Sequence, residues 1–141
     1  FSYFLFREEL NRNRYIWAYL FTLIISVVIF IFYPVTYPRA DYPLPSDISG
    51  LSGLIFSSLR AVDDPSNSFP SLHVSTCFMT AYSFAPESKK MAIIYALWSF
   101  LIAISTLTTK QHYVVDVIAG FLLALAVYLL VLKSTSENKI N

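Results

Sequence analysis

The chain has little of what a soluble protein depends on. Charged residues make up only 13% of its 141 residues, against 56% apolar ones, and glycine occurs three times. That balance, with a mean hydropathy of +0.58, excludes an ordinary water-soluble domain and belongs to a chain that sits in lipid. One cysteine, Cys77, cannot form an internal disulfide, and its place inside an apolar segment assigns it to packing. There is no run of Lys or Arg and the formal charge is +1, so nothing in the chain can track a nucleic-acid backbone. Internal repeats and low-complexity tracts are absent, and His73 and His112 are the only histidines.

What is present is a series of apolar segments. Tyr15 to Tyr33 runs 19 residues without a charge. At about 1.5 Å per residue this covers roughly the 30 Å hydrocarbon core. Ser71 to Ala85 is shorter and carries Ser75, Thr76, Thr80 and Ser83, which suits a helix buried among others. Met91 to Leu107 and Tyr113 to Leu132 are two further apolar runs. The pattern predicts an all-α, polytopic integral membrane helix bundle with about four transmembrane helices, forming one membrane-embedded domain over residues 1–141. The opening string Phe1 to Phe6 is too short to span and reads as the tail of an earlier helix, so upstream helices are expected. A signal peptide is not expected, because the charges of Arg7 to Arg14 follow the apolar part and no small-residue cleavage site precedes the first full span.

The stretch from Pro34 to Pro70 is rich in Pro, Ser, Asp and Tyr and must cap the helices on one face. Within it, Ile48, Leu51, Leu54, Ile55 and Leu59 fall at the spacing of a short amphipathic or interfacial helix. In a four-span chain Arg7, Arg12, Arg14, Lys89, Lys90, Lys133 and Lys139 share one side, with Arg39, Arg60 and Lys110 on the other. This asymmetry predicts a cytoplasmic N-terminal link and C-terminus, with both histidines on the opposite face.

Two polar strings lie at the mouths of these segments, Pro70-Ser71-Leu72-His73 and Lys110-Gln111-His112-Tyr113-Val114-Val115-Asp116. Ionisable groups at such depth are costly and point to function. On a helix beginning near His112, Asp116 lies one turn away, where its carboxylate can accept the Nδ1 proton and leave Nε2 as nucleophile or base. The alternative is an acid that simply complements the positive helix start. Ser71 occupies an N-cap position with His73 in the first turn, so the amides of Leu72 and His73 can form an anion site, or Ser71 can act as a plain cap. Arg39 and Lys110 are cations on the same face, able to grip a phosphate or to snorkel at the interface. Arg60, Asp63 and Asp64 read as solvated loop charges. His73, His112 and Asp116 can also be counted as three zinc ligands. The lack of a His-x-x-x-His pair and the two nearby cations argue against metal.

These strings resemble the type 2 phosphatidic acid phosphatase superfamily (PAP2), which comprises lipid phosphate phosphatases and related lipid phosphotransferases. Pro70-Ser71-Leu72-His73 is similar to its Pro-Ser-Gly-His motif, with Leu72 at the Gly position. Ser105, His112 and Asp116 keep the spacing of its third motif, with Thr106 where the family has Arg, and the run Asp116 to Gly120 is similar as well. Of its first motif Arg39 stands, while Phe32 holds the Lys position and Ala40 the Pro position. Lys110 can stand in for the missing Arg.

The resemblance implies a six-helix core of which this chain is the C-terminal part. It implies His112 as the nucleophile that forms a phosphohistidine, Asp116 as its orienting partner and His73 as general acid. Arg39, Lys110, Ser71 and the Leu72 and His73 amides would hold the phosphate. No metal or cofactor is implied. The substrate would be a membrane lipid phosphate or pyrophosphate drawn from the bilayer, with no nucleic-acid partner. Two alternatives stay open. One is a phosphotransferase handing the headgroup to an alcohol, as in inositol phosphorylceramide or sphingomyelin synthases. The other is a noncatalytic lipid-phosphate-binding membrane protein, supported by the missing Lys and Arg.

Overall fold

The computed structural model describes residues 2–38, 41, 48–62 and 66–133. Within these residues five α-helices follow one another: α1 (Glu9–Phe32), α2 (Gly50–Val62), α3 (Leu72–Phe84), α4 (Lys89–Thr108) and α5 (Val114–Val127). A 3-10 turn at Ser2–Leu5 precedes them and a π-helical turn at Tyr128–Lys133 extends α5. Among the described residues there is no strand. The chain is an all-helical membrane bundle, as its composition predicted.

Among the described residues three helices are long and apolar enough to cross a membrane: Glu9–Phe32, Lys89–Thr108 and Val114–Val131. α1 has neither Pro nor Gly in its 24 residues and stops at Tyr33, where Pro34 forbids a further turn. The charges from Glu9 to Arg14, expected in a link, form its first turns. α3 takes the fourth place but has only 13 residues, or about 20 Å of helix. It is the centre of the bundle, packed against α1, α4 and α5.

The polar composition of α3 fits that central place. Val74, Ser75, Met79, Thr80, Ala81, Ser83 and Phe84 are buried. The hydroxyls do not go unmatched in the apolar interior, because each turns back on its own helix. Thr76 donates to the Leu72 carbonyl (2.8 Å), Thr80 to that of Thr76 (2.8 Å) and Ser83 to that of Met79 (2.9 Å). Ser99 on α4 and Thr22 on α1 do the same, to Tyr95 and Ala18. These small hydroxylated residues thus let helices approach closely while pairing their own hydroxyls. Ala18, Met79, Ala124 and Val127 form the buried core, with Tyr82 and Tyr128 packed around them.

At the end away from the histidines, Phe84 is stacked between Phe6 (4.2 Å) and Tyr95 (4.9 Å). Asn11 and the Arg7 amide both donate to the Glu87 carboxylate, tying the N-terminal turn to the α3–α4 link. That link reverses the chain, so α4 runs antiparallel to α3 and delivers the start of α5 to the start of α3. The predicted interfacial helix exists as α2, at Gly50–Val62 and not Ile48–Leu59, and it stands largely apart from the other four.

Candidate active site

The local chemistry of α3 fixes one half of the site. Ser71 is its N-cap, the Ser71 Oγ accepting from the Val74 amide at 3.4 Å and the Ser71 carbonyl from the Ser75 amide at 3.0 Å. The amides of Leu72 and His73 fall in the first turn, where the helix offers no acceptor, and the positive end of the helix dipole lies there. His73 is exposed at this end. Ser71 itself is fully buried, and its hydroxyl faces the cap and not the open side.

The other half is built by the end of α4. Lys110 adopts φ +58°, the left-handed conformation that usually selects glycine after a helix. Its amide donates to the Leu107 carbonyl (3.3 Å), and the next amide, of Gln111, reaches back to the Thr106 carbonyl (3.0 Å). This pair of bonds is a Schellman motif carried by a lysine. The His112 amide donates to the same Thr106 carbonyl at 3.3 Å. Thr106, which replaces the Arg of the resembled motif, is buried and holds the histidine segment through its backbone. Gln111 and His112 are therefore turned inward, 7% and 8% exposed, while Lys110 faces outward.

His112 is not part of the last helix, contrary to the spacing argument. α5 starts at Val114 with Tyr113 as its cap, and Asp116 is the third helical residue. The physical reason is Asp116 itself, whose Oδ2 accepts from the Tyr113 amide at 2.9 Å and so ends the helix there. The carboxylate nevertheless reaches the histidine: His112 Nδ1 lies 3.6 Å from Asp116 Oδ2, within ion-pair range and just beyond a hydrogen bond. Asp116 is 1% exposed, so its charge acts in a medium that screens it little.

On the opposite edge of the same ring, His112 Nε2 lies 3.5 Å from His73 Nδ1. The imidazole meets each neighbour with a different nitrogen, which makes the three groups a relay and not a convergent ligand set. Two ties lock the helices in this register. The Ser71 amide donates to the Asp116 carbonyl at 3.0 Å. Gly120 on α5 lies against α3 so closely that a Cβ there would be 2.5 Å from the Ser71 carbonyl oxygen and 3.3 Å from the Ser75 nitrogen. Gly120 appeared in the sequence only as part of a familiar run; its reason is this contact.

Both histidines open on a cavity of about 280 Å³, lined also by Leu72, Ser68, Gln111 and Phe30. Gln111 lines the cavity, and its Oε1 lies 3.1 Å from the Thr109 hydroxyl, which also donates to the Ser105 carbonyl at 2.7 Å. Gln111 was not singled out in the sequence, having neither charge nor motif position. Lys110 does not occur among the residues lining the cavity. Arg39 lies outside the described residues, as do Asp63 and Asp64. Just before it, Tyr37 is buried with its ring centroid 4.5 Å from that of Tyr113. The Ser68 amide donates to the Val35 carbonyl at 2.9 Å, so the segment after α1 is held against the segment before α3.

Residues 1–130 match a family model described as the PAP2 superfamily. An uncharacterized protein of Methanocaldococcus jannaschii is 41% identical over 64 residues, covering 45% of this chain and 26% of that protein. The chain thus matches about a quarter of that relative's length. No solved structure matches the chain.

Proposed function

The chain belongs to the PAP2 superfamily, and on that premise we propose that it is an integral membrane phosphatase that hydrolyses a lipid phosphate or pyrophosphate through a phosphohistidine. The observation that carries this reading is the position of the His112 ring, with Asp116 at Nδ1 (3.6 Å) and His73 at Nε2 (3.5 Å), at the wall of a polar cavity.

In the proposed reaction the Asp116 carboxylate keeps the proton of His112 on Nδ1, leaving the Nε2 lone pair to attack phosphorus. The N–P bond forms as the bond from phosphorus to the lipid oxygen breaks. His73 gives its proton to that oxygen, and the lipid alcohol, or the lipid monophosphate from a pyrophosphate, departs. Water then attacks the phosphohistidine, losing its proton to His73, and the N–P bond breaks to release phosphate and restore both histidines. Charge building on the phosphoryl oxygens meets the Leu72 and His73 amides, the α3 dipole and the Gln111 amide. Arg39 and Lys110 are proposed to add positive charge. No cofactor takes part.

The distribution of Lys and Arg supports an extracytoplasmic site, with the N-terminal link and the C-terminus cytoplasmic. The test is phosphate release from lipid phosphates and pyrophosphates in detergent with a chelator present, wild type against His112→Ala. Chelator-resistant release that disappears in the variant is the expected result. Release that persists undiminished in the variant contradicts the proposal.

A further inference from the structure

The cavity at the histidines is small. Sites that enclose a drug-sized ligand span roughly 300–1,000 Å³, so about 280 Å³ holds a headgroup and little more. Beside it runs a wider groove of about 710 Å³, lined by Leu54, Ile55, Leu59 and Val62 of α2 on one side and by His73 and Gln111 on the other. His73 and Gln111 line both spaces, so the groove continues directly from the headgroup cavity. The four α2 residues lie on one helical face with Leu51, and all five are exposed. α2 has no other helix packed extensively on that face.

We propose that this groove is the tail subsite: the hydrocarbon chain of the lipid phosphate lies along α2 while its phosphate sits at His112 and His73. The inference rests on the phosphatase reading for the position of the headgroup. From Leu51 to Val62 the apolar face runs about 16 Å, enough for a medium-length chain. Its occupant is a hydrocarbon tail because the α2 wall offers a single polar side chain, Ser58, and no charge. Leu54 and Leu59 are specificity residues here. They face the part of the substrate that does not react.

The test uses straight-chain alkyl phosphates below their critical micelle concentrations, with the intact protein in detergent. Burying a methylene contributes roughly fourfold to kcat/KM, from about 0.8 kcal/mol each, until the groove is full. Wild type is expected to show this rise with chain length and then a plateau. The double variant Leu54→Gln, Leu59→Gln is expected to lose at least tenfold on dodecyl phosphate and less than twofold on butyl phosphate. Partition into the detergent is the same for both proteins and cancels in the comparison. Equal losses on both substrates, or none on either, overturn the inference. Both side chains are exposed, and matched thermal unfolding checks that the variant folds.

An arm independent of turnover uses dodecyl phosphate with a diazirine at the tail end. Adducts on residues 50–62 that excess unlabelled dodecyl phosphate removes are expected, and adducts confined to α1 or α4 overturn the inference. If no phosphate is released from any chain length, the phosphatase reading fails while the photolabel still decides the groove.

Discussion

His112 Nε2 and His73 Nδ1 come within 3.5 Å of each other although 39 positions separate them in the chain. The contact exists because α4 carries the chain back along α3 and because Gly120 lets α5 lie directly on the first turn of α3. The proposed nucleophile and acid can cooperate only if the starts of α3 and α5 stay in register.

Asp116 does two jobs, and substitutions separate them. Asp116→Asn keeps an oxygen for the Tyr113 amide but loses the charge beside His112. It is expected to leave thermal stability nearly unchanged while turnover falls by roughly two to four orders of magnitude. Asp116→Ala loses the cap as well, costing about 1 kcal/mol of stability besides. Parallel unfolding and phosphate-release measurements check both.

Gly120→Ala places a methyl group where the Ser71 carbonyl already lies, 2.5 Å away. The two helices must part, at a cost of roughly 1–3 kcal/mol. Activity is expected to fall more than the fraction folded accounts for, since the histidines separate with the helices. An unchanged Tm with full activity would show that the contact is looser than described.

Ser71→Ala is expected to act through the helix cap, because the Ser71 hydroxyl is buried and accepts from the Val74 amide. A stability loss of about 1 kcal/mol is expected, with kcat/KM within a few-fold of wild type. A large loss of kcat/KM at unchanged stability would assign the hydroxyl to the substrate after all.

Gln111 and Lys110 are adjacent and are expected to behave oppositely. Gln111→Ala removes a donor to a charged group, worth about 1.5–3 kcal/mol, and should lower kcat/KM by roughly ten- to a hundredfold. Lys110→Gly relieves a left-handed residue and should stabilise the fold by about 1 kcal/mol. If Lys110 also supports the phosphate, kcat/KM falls in Lys110→Gly despite the gain in stability, and the size of that fall measures its share.

Much of this was legible in the sequence, for local reasons. The α1 span follows from a long uncharged run ended by Pro34, and the start of α3 from Pro70 and Ser71. The burial of α3 follows from hydroxyls that have no place facing lipid. What could not be read depends on contacts distant in the chain or on backbone geometry. Nothing local shows that Lys110 takes a left-handed conformation and turns Gln111 and His112 inward. Nor does the His112 to Asp116 spacing reveal that the carboxylate caps Tyr113 and so leaves His112 outside α5. The need for Gly120 appears only when α3 lies against it.

The proposed reaction turns on a covalent bond between phosphorus and His112 Nε2. The most direct measurement is rapid mixing of the protein with a lipid phosphate in chelator, quenching under alkaline conditions that preserve phosphohistidine, and mapping the modified peptide by mass spectrometry. A phosphoryl group on His112 that builds and decays at rates matching turnover, and forms more slowly when His73 is replaced by Ala, is the predicted result. Turnover with no phosphoryl group on His112 at any time, or with the group on His73 instead, would rule out His112 as the nucleophile.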